Sequence, residues 1–263
     1  MKLLKIWIKL YVLRINNPLL RVTAIYYVVD VVQKFFKKIG FEQELVIGQN
    51  SQWVYSEGLF LDSGATKRYY KVKGKFGNEG IGMAQMLKRH GIKPRTVVDI
   101  GAFHGEISLY FVRNYNSKVL AIEPVSKNIE ILKKNCKKNN INLNILKVAV
   151  IDKEGFVKMS TGVRGNNKVS DIGEEVPSDT LYNLVKDLGV IDFIKIDIEG
   201  SEPLLHDSLK QLLNANRIRS MYIECRREKG YEELIQMLKD NGMEQFGEAK
   251  GEIYDLWFIK SSK

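Results

Sequence analysis

The sequence predicts an α/β fold with a doubly wound, mostly parallel sheet of seven strands, preceded by a helical and small β extension. Short runs rich in Val, Ile and Phe alternate with helix-like segments, as parallel strands and their crossover helices do. Several of these runs end in an acid beside a glycine, where a strand of an open sheet would meet a ligand. The last two runs, 243–246 and 253–259, suit a terminal hairpin. With 263 residues and 44% hydrophobic content, the chain can bury a substantial core.

The first segment, residues 1–44, is predicted to be a basic amphipathic helical extension. Lys2, Lys5 and Lys9 share one stripe of a helix whose remaining surface is apolar, which is typical of helices in a membrane interface. Its apolar stretches are shorter than the ~20 residues of a spanning helix, and no signal-peptide cleavage site follows. We expect a cytoplasmic protein in which residues 1–38 either contact the inner face of a membrane peripherally or pack on the rest of the fold or a second subunit.

Residues 45–78 are predicted to form a small β appendage that serves as a lid over a ligand site or as a platform for the substrate. Polar turn residues separate its apolar runs in pairs, 45–48 with 52–55 and 59–61 with 69–72. Residues 79–263 then form the main domain. Glu79 stands before the first helix of this domain, where it could reach a bound ligand.

The first strand of the main domain, Thr96–Ile100, ends at an acid and a glycine-spaced turn. Asp99 is followed by Gly101 and Gly105, which let the backbone turn tightly and approach a ligand. The next strand ends at Glu123, 24 residues after Asp99, about where a doubly wound sheet places the acid that holds a ribose. The two strand ends therefore predict a nucleotide site.

The middle of the domain is less regular in sequence. Leu143–Val150 is predicted as the third strand and Phe156–Met159 as a short extended run. Residues 160–179 are polar and rich in glycine, and we expect a long loop of the kind that often carries function. A helix over 179–188 leads to the fourth strand. The loop side chains that are candidates for substrate contact are Arg164, Asn166, Asn167 and Ser170.

The fourth strand, 190–196, ends in carboxylates. Asp197 and Glu199 follow it, and Glu224 ends a fifth strand over 220–224. Acids at buried strand ends carry a desolvation cost that a ligand site can offset, so we expect these three to converge. Helices are predicted after the two strands, over 203–213 and 231–241.

The charge of the glycine turn favours one cofactor. A dinucleotide fingerprint reads G-x-G-x-x-G and directs helix-terminal amides at a pyrophosphate, whereas this chain has G-x-x-x-G with Asp99 beside the first glycine. A carboxylate there would repel a pyrophosphate and attract a cation. S-adenosylmethionine carries an amino group, a sulfonium and a ribose diol without phosphate, so the charges favour it.

In these motifs the sequence resembles the FkbM family of S-adenosylmethionine-dependent methyltransferases, over roughly residues 79–260. The most specific part, Ile194–Glu202, reads I-K-I-D-I-E-G-S-E. The resemblance implies a Rossmann-like methyltransferase fold and O-methylation of sugars, glycans or polyketides. One departure is Phe103-His104, where family members commonly have a small polar residue. The cofactor-binding residues that the resemblance implies are Glu79, Asp99, Gly101, Ala102, Phe103, Gly105, Glu123, Pro124, Ala149, Val150, Asp152 and Asp197.

The reaction would be a direct in-line displacement in which orientation dominates. Positioning can supply up to ~7–11 kcal/mol, and a base adds ~10²–10⁴-fold. Asp197 is the first candidate for the base or hydroxyl anchor, and Glu199, Glu224 and His104 are the other catalytic candidates. Alternatively, Glu199 caps the following helix, His104 only packs, or the three acids bind a divalent cation. The Cys and His spacing indicates no zinc site.

The net charge of +10 is unevenly placed. Residues 1–44 hold eight Lys/Arg and three Asp/Glu, and residues 45–95 hold nine Lys/Arg and three Asp/Glu. Residues 96–263 hold 24 Lys/Arg and 25 Asp/Glu. The excess predicts an anionic partner for the N-terminal third. Three functions remain open: an O-methyltransferase for a sugar, glycan or lipid-linked hydroxyl, an RNA methyltransferase that holds phosphates with the basic third, and a non-catalytic binding module. The acidic fourth strand end would repel nucleic acid, which weighs against RNA.

Overall fold

The computed structural model describes residues 53–56, 59–62, 82–160, 168–226, 229–246 and 253–261. The chain divides into two compact units between Ser63 and Gly64. The predicted helices of residues 1–44, most of the predicted appendage and Glu79 lie outside the described residues. The domain boundaries at 44/45 and 78/79 therefore stay predictions.

The described part of the first unit is a two-stranded antiparallel hairpin. Strand β1 (Trp53–Ser56) pairs with β2 (Leu59–Asp62), with Trp53 opposite Asp62. Both runs were predicted as strands. Their predicted partners, 45–48 and 69–72, lie outside the described residues, so those pairings stay predictions, and the pairing of β1 with β2 was not predicted. Only Glu57 and Gly58 separate the two strands in sequence, and a two-residue link containing glycine is the commonest hairpin connection.

The second unit alternates strands and helices. Its helices are α1 (Met83–Arg89), α2 (Glu106–Tyr115), α3 (Ser126–Asn139), α4 (Leu181–Val185), α5 (His206–Asn214) and α6 (Tyr231–Asp240), with a 3₁₀ turn at Glu202–Leu205. Its strands are β3 (Thr96–Ile100), β4 (Lys118–Ile122), β5 (Asn144–Leu146), β6 (Ala149–Ile151), β7 (Gly155–Ser160), β8 (Lys168–Ser170), β9 (Glu174–Thr180), β10 (Phe193–Ile196), β11 (Ser220–Arg226), β12 (Met243–Phe246) and β13 (Ile253–Lys260).

Seven strands form one sheet in the order β12-β13-β11-β10-β3-β4-β5. The strands from β11 to β5 run parallel, and β13 and β12 complete one side as an antiparallel hairpin. The predicted doubly wound, mostly parallel seven-stranded sheet is confirmed. The chain runs outward from β3 to β4 and β5, then returns to β10 on the other side of β3. Strand order therefore reverses between β3 and β10, and ligands of open α/β sheets bind at such a switch point.

The central strands are buried on both faces because helices cover each side. Ile194 and Ile196 of β10 pack in the main core with leucines of α5 that recur at helical spacing. Phe193, offset by one residue, points the other way, and its ring centroid lies 5.2 Å from that of Phe111 on α2. Across the described part of the chain, no helix is long and apolar enough to cross a membrane.

A second, four-stranded sheet has the order β6-β9-β7-β8, and it corrects two predictions. The predicted third strand, 143–150, is split: β5 pairs with β4 in the main sheet, whereas β6 pairs with β9. At the split, Lys147 Nζ lies 2.7 Å from Glu174 Oε1 of β9. This ion pair helps to hold the chain where it passes from one sheet to the other.

The loop predicted over 160–179 instead contains β8 and β9, with residues 161–167 outside the described part. In β9, Val176 and Ser178 are buried while Glu175 and Pro177 are exposed. With a single aliphatic residue, the segment has no apolar period that identifies a strand. It is extended because β6 and β7 supply backbone partners on either side. The helix predicted over 179–188 is shorter, and the Thr180 side chain caps it by accepting a hydrogen bond from the Asn183 amide at 3.3 Å.

Candidate functional site

A cleft lies outside the carboxyl ends of β3, β4 and β10 and extends to the second sheet. Its cavity volume is about 30 Å³, and the cleft is partly open to solvent. Four of the predicted cofactor residues line it, namely Gly101, Pro124, Ala149 and Val150. The remaining lining is mainly aliphatic and is formed by Ile100, Ile122, Val148, Ile151, Met159, Val169, Ile198 and Ser201.

The turn after β3 is held against the neighbouring strand ends. The amides of Gly101 and Ala102 both donate to the carbonyl oxygen of Ile122, each at 2.9 Å. Gly101 has a φ of +74°, and a Cβ there would lie 1.9 Å from the carbonyl oxygen of Asp197. This position therefore requires glycine, because any side chain would strike the end of β10.

Two more residues of this turn have left-handed backbones. Gly105 has a φ of +82°, and a Cβ there would lie 2.8 Å from Leu132 of α3. Phe103, a non-glycine residue, has a φ of +51°. A left-handed conformation of a bulky residue is strained, and such strain occurs where the surrounding structure imposes it, often at functional sites. The turn is thus tightly constrained by β4, β10 and α3.

Glu123 at the end of β4 is buried and accepts several hydrogen bonds. Its Oε2 accepts from the Phe103 amide at 2.8 Å, and its Oε1 accepts from the Val125 amide and from Asn128 Nδ2, both at 3.0 Å. Burial raises the pKa of this carboxyl, and the hydrogen bonds oppose that rise. Glu123 therefore ties the glycine turn to the start of α3. Its contact with a ribose stays a prediction.

Asp99 and Asp197 are both buried, and a lysine lies between them. Ser108 of α2 donates to Asp99 Oδ2 at 2.7 Å. Lys195 Nζ lies 3.5 Å from Asp99 Oδ1 and 3.6 Å from Asp197 Oδ2. Lys195 was not among the site residues predicted from the sequence. The available signal was a single charge in an otherwise apolar strand, two residues before an acid.

The candidate acids on β10 and β11 are not equally placed. Asp197 is 8% exposed, whereas Glu199 and Glu224 are half-buried. The pKa of Tyr222 is raised well above its ordinary value, first by burial and then by the negative charge of Asp255, with Glu224 and Asp197 adding to the rise. Among the described residues, no three His, Cys, Asp or Glu side chains are grouped so that they could hold a metal ion.

Glu202 holds the acidic loop after β10 and was also missed from sequence. Its carboxylate accepts hydrogen bonds from the amides of Ile198 at 2.9 Å and Gly200 at 3.1 Å. Burial raises its pKa to about 7, and the charge of Asp197 adds to the rise. Glu199, which was considered as a helix cap, instead has a left-handed backbone with a φ of +58°. The amides of the loop are thus bound by Glu202.

The other predicted site residues are spread around this centre. His104 is buried, its ring stacks on Phe103 with centroids 3.7 Å apart, and its carbonyl accepts from Asn135 Nδ2 at 2.7 Å. Asp152 is exposed just after β6. His206 Nδ1 lies 2.8 Å from Asp207 Oδ1. Glu79, Arg164, Asn166 and Asn167 lie outside the described residues.

The chemistry of the cleft fits S-adenosylmethionine. Its aliphatic lining offers a surface for a flat adenine, and the turn with Gly101 permits close approach of a ligand. Asp99 and Asp197 share the single ammonium of Lys195, so a net negative charge remains at these strand ends and suits a cationic ligand. The apolar lining, the glycine turn and the carboxylates together therefore match an adenosine that carries a positively charged tail.

A family model described as the Methyltransferase FkbM domain matches residues 99–248. No curated protein matches the sequence significantly. Three solved structures illustrate the likeness in fold. Precorrin-6y C5,15-methyltransferase from Geobacter metallireducens has 13% identity over 71% of this chain and 92% of that one, with a TM-score of 0.43. A methyltransferase from Pyrococcus furiosus has 16% identity over 74% of this chain and 95% of that one, with a TM-score of 0.38. The ribosomal protein L11 methylase from Lactobacillus delbrueckii has 14% identity over 66% of this chain and 75% of that one, with a TM-score of 0.39. At such low identities and TM-scores, these similarities add nothing to the fold described above.

Proposed function

Because the chain belongs to the FkbM methyltransferase family, we propose that it is an S-adenosylmethionine-dependent O-methyltransferase whose acceptor is a hydroxyl group of a sugar, glycan or lipid-linked molecule. The main support is the buried carboxylate of Asp197, which follows β10 at the switch point and whose backbone carbonyl packs against Gly101. An acid beside the cofactor turn can accept a proton from a hydroxyl.

The donor half of the site would be formed by the turn after β3 and by the cleft. Asp99 supplies negative charge for a cationic amino-acid tail, and Gly101 leaves room for it. Glu123 would bind the ribose while keeping its contact with the Phe103 amide. Ala149 and Val150, which line the cleft, would border the adenine together with Pro124 and Asp152.

The acceptor half would be formed by the acids after β10 and β11. The bound cofactor supplies an electrophilic methyl group on its sulfonium. Asp197 would orient the acceptor hydroxyl and take its proton, while Glu224 and Glu199 contribute negative charge that stabilises a hydroxyl-rich substrate through hydrogen bonds. His104 of the turn is the alternative base. Since positioning outweighs base catalysis, loss of the base should slow the reaction without abolishing it.

The decisive experiment uses the full chain and a labelled methyl donor. S-adenosylhomocysteine is first titrated by calorimetry, and monosaccharides, glycans and lipid-linked sugars are then screened as acceptors. With an acceptor identified, Asp197→Asn should lower kcat by ~10²–10⁴-fold. The control Asp187→Asn, at an exposed position past α4, should retain full activity. Transfer to RNA but to no hydroxyl-bearing sugar or lipid would refute the proposed acceptor class.

We also propose that residues 1–38 bring the enzyme to an anionic membrane surface. The support is the first predicted helix, in which Lys2, Lys5 and Lys9 share one stripe and the rest of the surface is apolar. Flotation with anionic vesicles should recover the intact chain but not a chain that begins at Glu44. Equal flotation of the two, or of neither, would contradict this role.

A further inference from the structure

Lys195 is buried in the middle of the apolar strand β10. It is only 1% exposed, and its strand neighbours Ile194 and Ile196 are fully buried. An isolated ammonium in such surroundings is strongly unfavourable unless opposite charges and acceptors compensate it. We therefore expect negatively charged or hydrogen-bond-accepting groups around the Lys195 ammonium.

The ammonium of Lys195 contacts four groups at the switch point. It donates hydrogen bonds to the carbonyl oxygens of Gly101 at 2.7 Å and Ile100 at 3.1 Å. It also lies 3.5 Å from Asp99 Oδ1 and 3.6 Å from Asp197 Oδ2. One positive charge is thus shared by two buried carboxylates, one on each side of the strand-order reversal.

The two carboxylates belong to different halves of the site. Asp99 and Lys195 are register partners on β3 and β10, and Asp99 precedes the turn that would bind the cofactor. Asp197 follows β10, and its carbonyl is so close to Gly101 that no Cβ fits between them. A displacement of either strand end is therefore transmitted to the other, and Lys195 contacts both.

We infer that Lys195 is a positioning residue that compensates Asp99 and Asp197 together and thereby couples the cofactor turn to the acceptor-side carboxylate. Without the ammonium, the two buried carboxylates lose the positive charge that they share, so they move apart or one takes up a proton. In either case, Gly101 loses the donor that holds its carbonyl. This role concerns the donor half and the acid beside it, and it does not depend on the acceptor class.

A double-mutant cycle on S-adenosylhomocysteine binding tests the coupling. Lys195→Met should raise the Kd by about tenfold or more, whereas the same change in an Asp197→Asn background should raise it several-fold less, because the excess carboxylate is gone. Ile194→Val on the opposite face of β10 is the matched control for lost stability and should leave the Kd unchanged. Additive effects, or a Lys195→Met protein that binds like Ile194→Val, would overturn the inference.

Infrared spectroscopy of the free protein supplies a second, ligand-independent readout. At about pH 8, Lys195→Met should show the carbonyl stretch of a protonated carboxylic acid, a band in addition to those of the parent. Adding Asp197→Asn to Lys195→Met should remove this band. Because the charge of Asp197 also affects Glu202, Lys195→Met is compared with the parent, and the double variant is compared with Asp197→Asn alone. A parent that binds no S-adenosylhomocysteine refutes the proposed function, yet this band still decides the role of Lys195.

If Lys195→Met alone does not fold, the folding of a double variant tests the inference instead. If charge compensation is the reason, Lys195→Met combined with Asp197→Asn should fold again, since only Asp99 then remains charged. A double variant that is as unfolded as the single one would show that Lys195 acts by packing, and it would refute the inference.

Discussion

Glu202 offers the sharpest test of the site electrostatics, through the change Glu202→Gln. Burial raises the pKa of this carboxyl from an ordinary 4.5 to about 7 in the folded protein. As pH rises, the unfolded chain therefore releases this proton first, and the folded state loses stability between about pH 4.5 and pH 7. The gap of about 2.5 pH units, at 1.36 kcal/mol for each unit, corresponds to about 3 kcal/mol.

Glutamine keeps most of the local geometry but cannot ionise. Its oxygen can still accept from the amides of Ile198 and Gly200, as Oε1 of Glu202 does at 2.9 and 3.3 Å. The variant should match the parent to within about 1 kcal/mol near pH 4.5 and exceed it by about 3 kcal/mol near pH 8. Urea unfolding of both proteins across this range measures the difference.

The matched control for this prediction is Glu130→Gln, at an exposed position on α3. The free-energy difference between this control and the parent should be independent of pH over the same range. A flat difference for Glu202→Gln as well would refute the reasoning, because the carboxylate would then ionise as readily in the folded protein as in the unfolded chain.

Three other positions allow separate tests. Gly101→Ala should abolish S-adenosylhomocysteine binding measured by calorimetry, because a Cβ would lie 1.9 Å from a backbone oxygen; Gly91→Ala, which shares a positive φ but meets nothing within 4 Å, should bind normally. Ser108→Ala removes the donor to buried Asp99 and should cost ~1–3 kcal/mol of unfolding free energy in urea titrations. Leu209→Ala empties a fully buried core position and should cost ~2–5 kcal/mol by the same measurement, with cofactor affinity unchanged.

Several strands could be predicted because their side chains are buried on both faces. Val97, Val98 and Ile100 of β3 form an apolar run with one acid, a pattern that is typical of a central parallel strand. The strand ends at Asp99 and Asp197 were predictable for the same reason, since charge directly after such a run is costly without a ligand or a partner.

The second sheet was only partly predictable: β7 contains the predicted extended run 156–159, but β9 has no apolar period of its own. β9 has Val176 as its one aliphatic residue, and its extended form depends on the backbone partners β6 and β7. The pairing of β1 with β2 was not predicted for a related reason. Local turn signals compete in sequence, and the pairing is decided by which backbone partners are available.

The sequence by itself determined the alternation of strands and helices, the acids at the strand ends and the family, because each of these depends on local order along the chain. Only the tertiary structure decided which charges meet. Lys195 and Asp99 are distant in sequence, yet they become register partners once β10 lies beside β3. Likewise, the pKa of Glu202 depends on burial beneath a folded loop. Contacts between distant segments set these properties, and the order of residues along one strand or helix contains no signal for them.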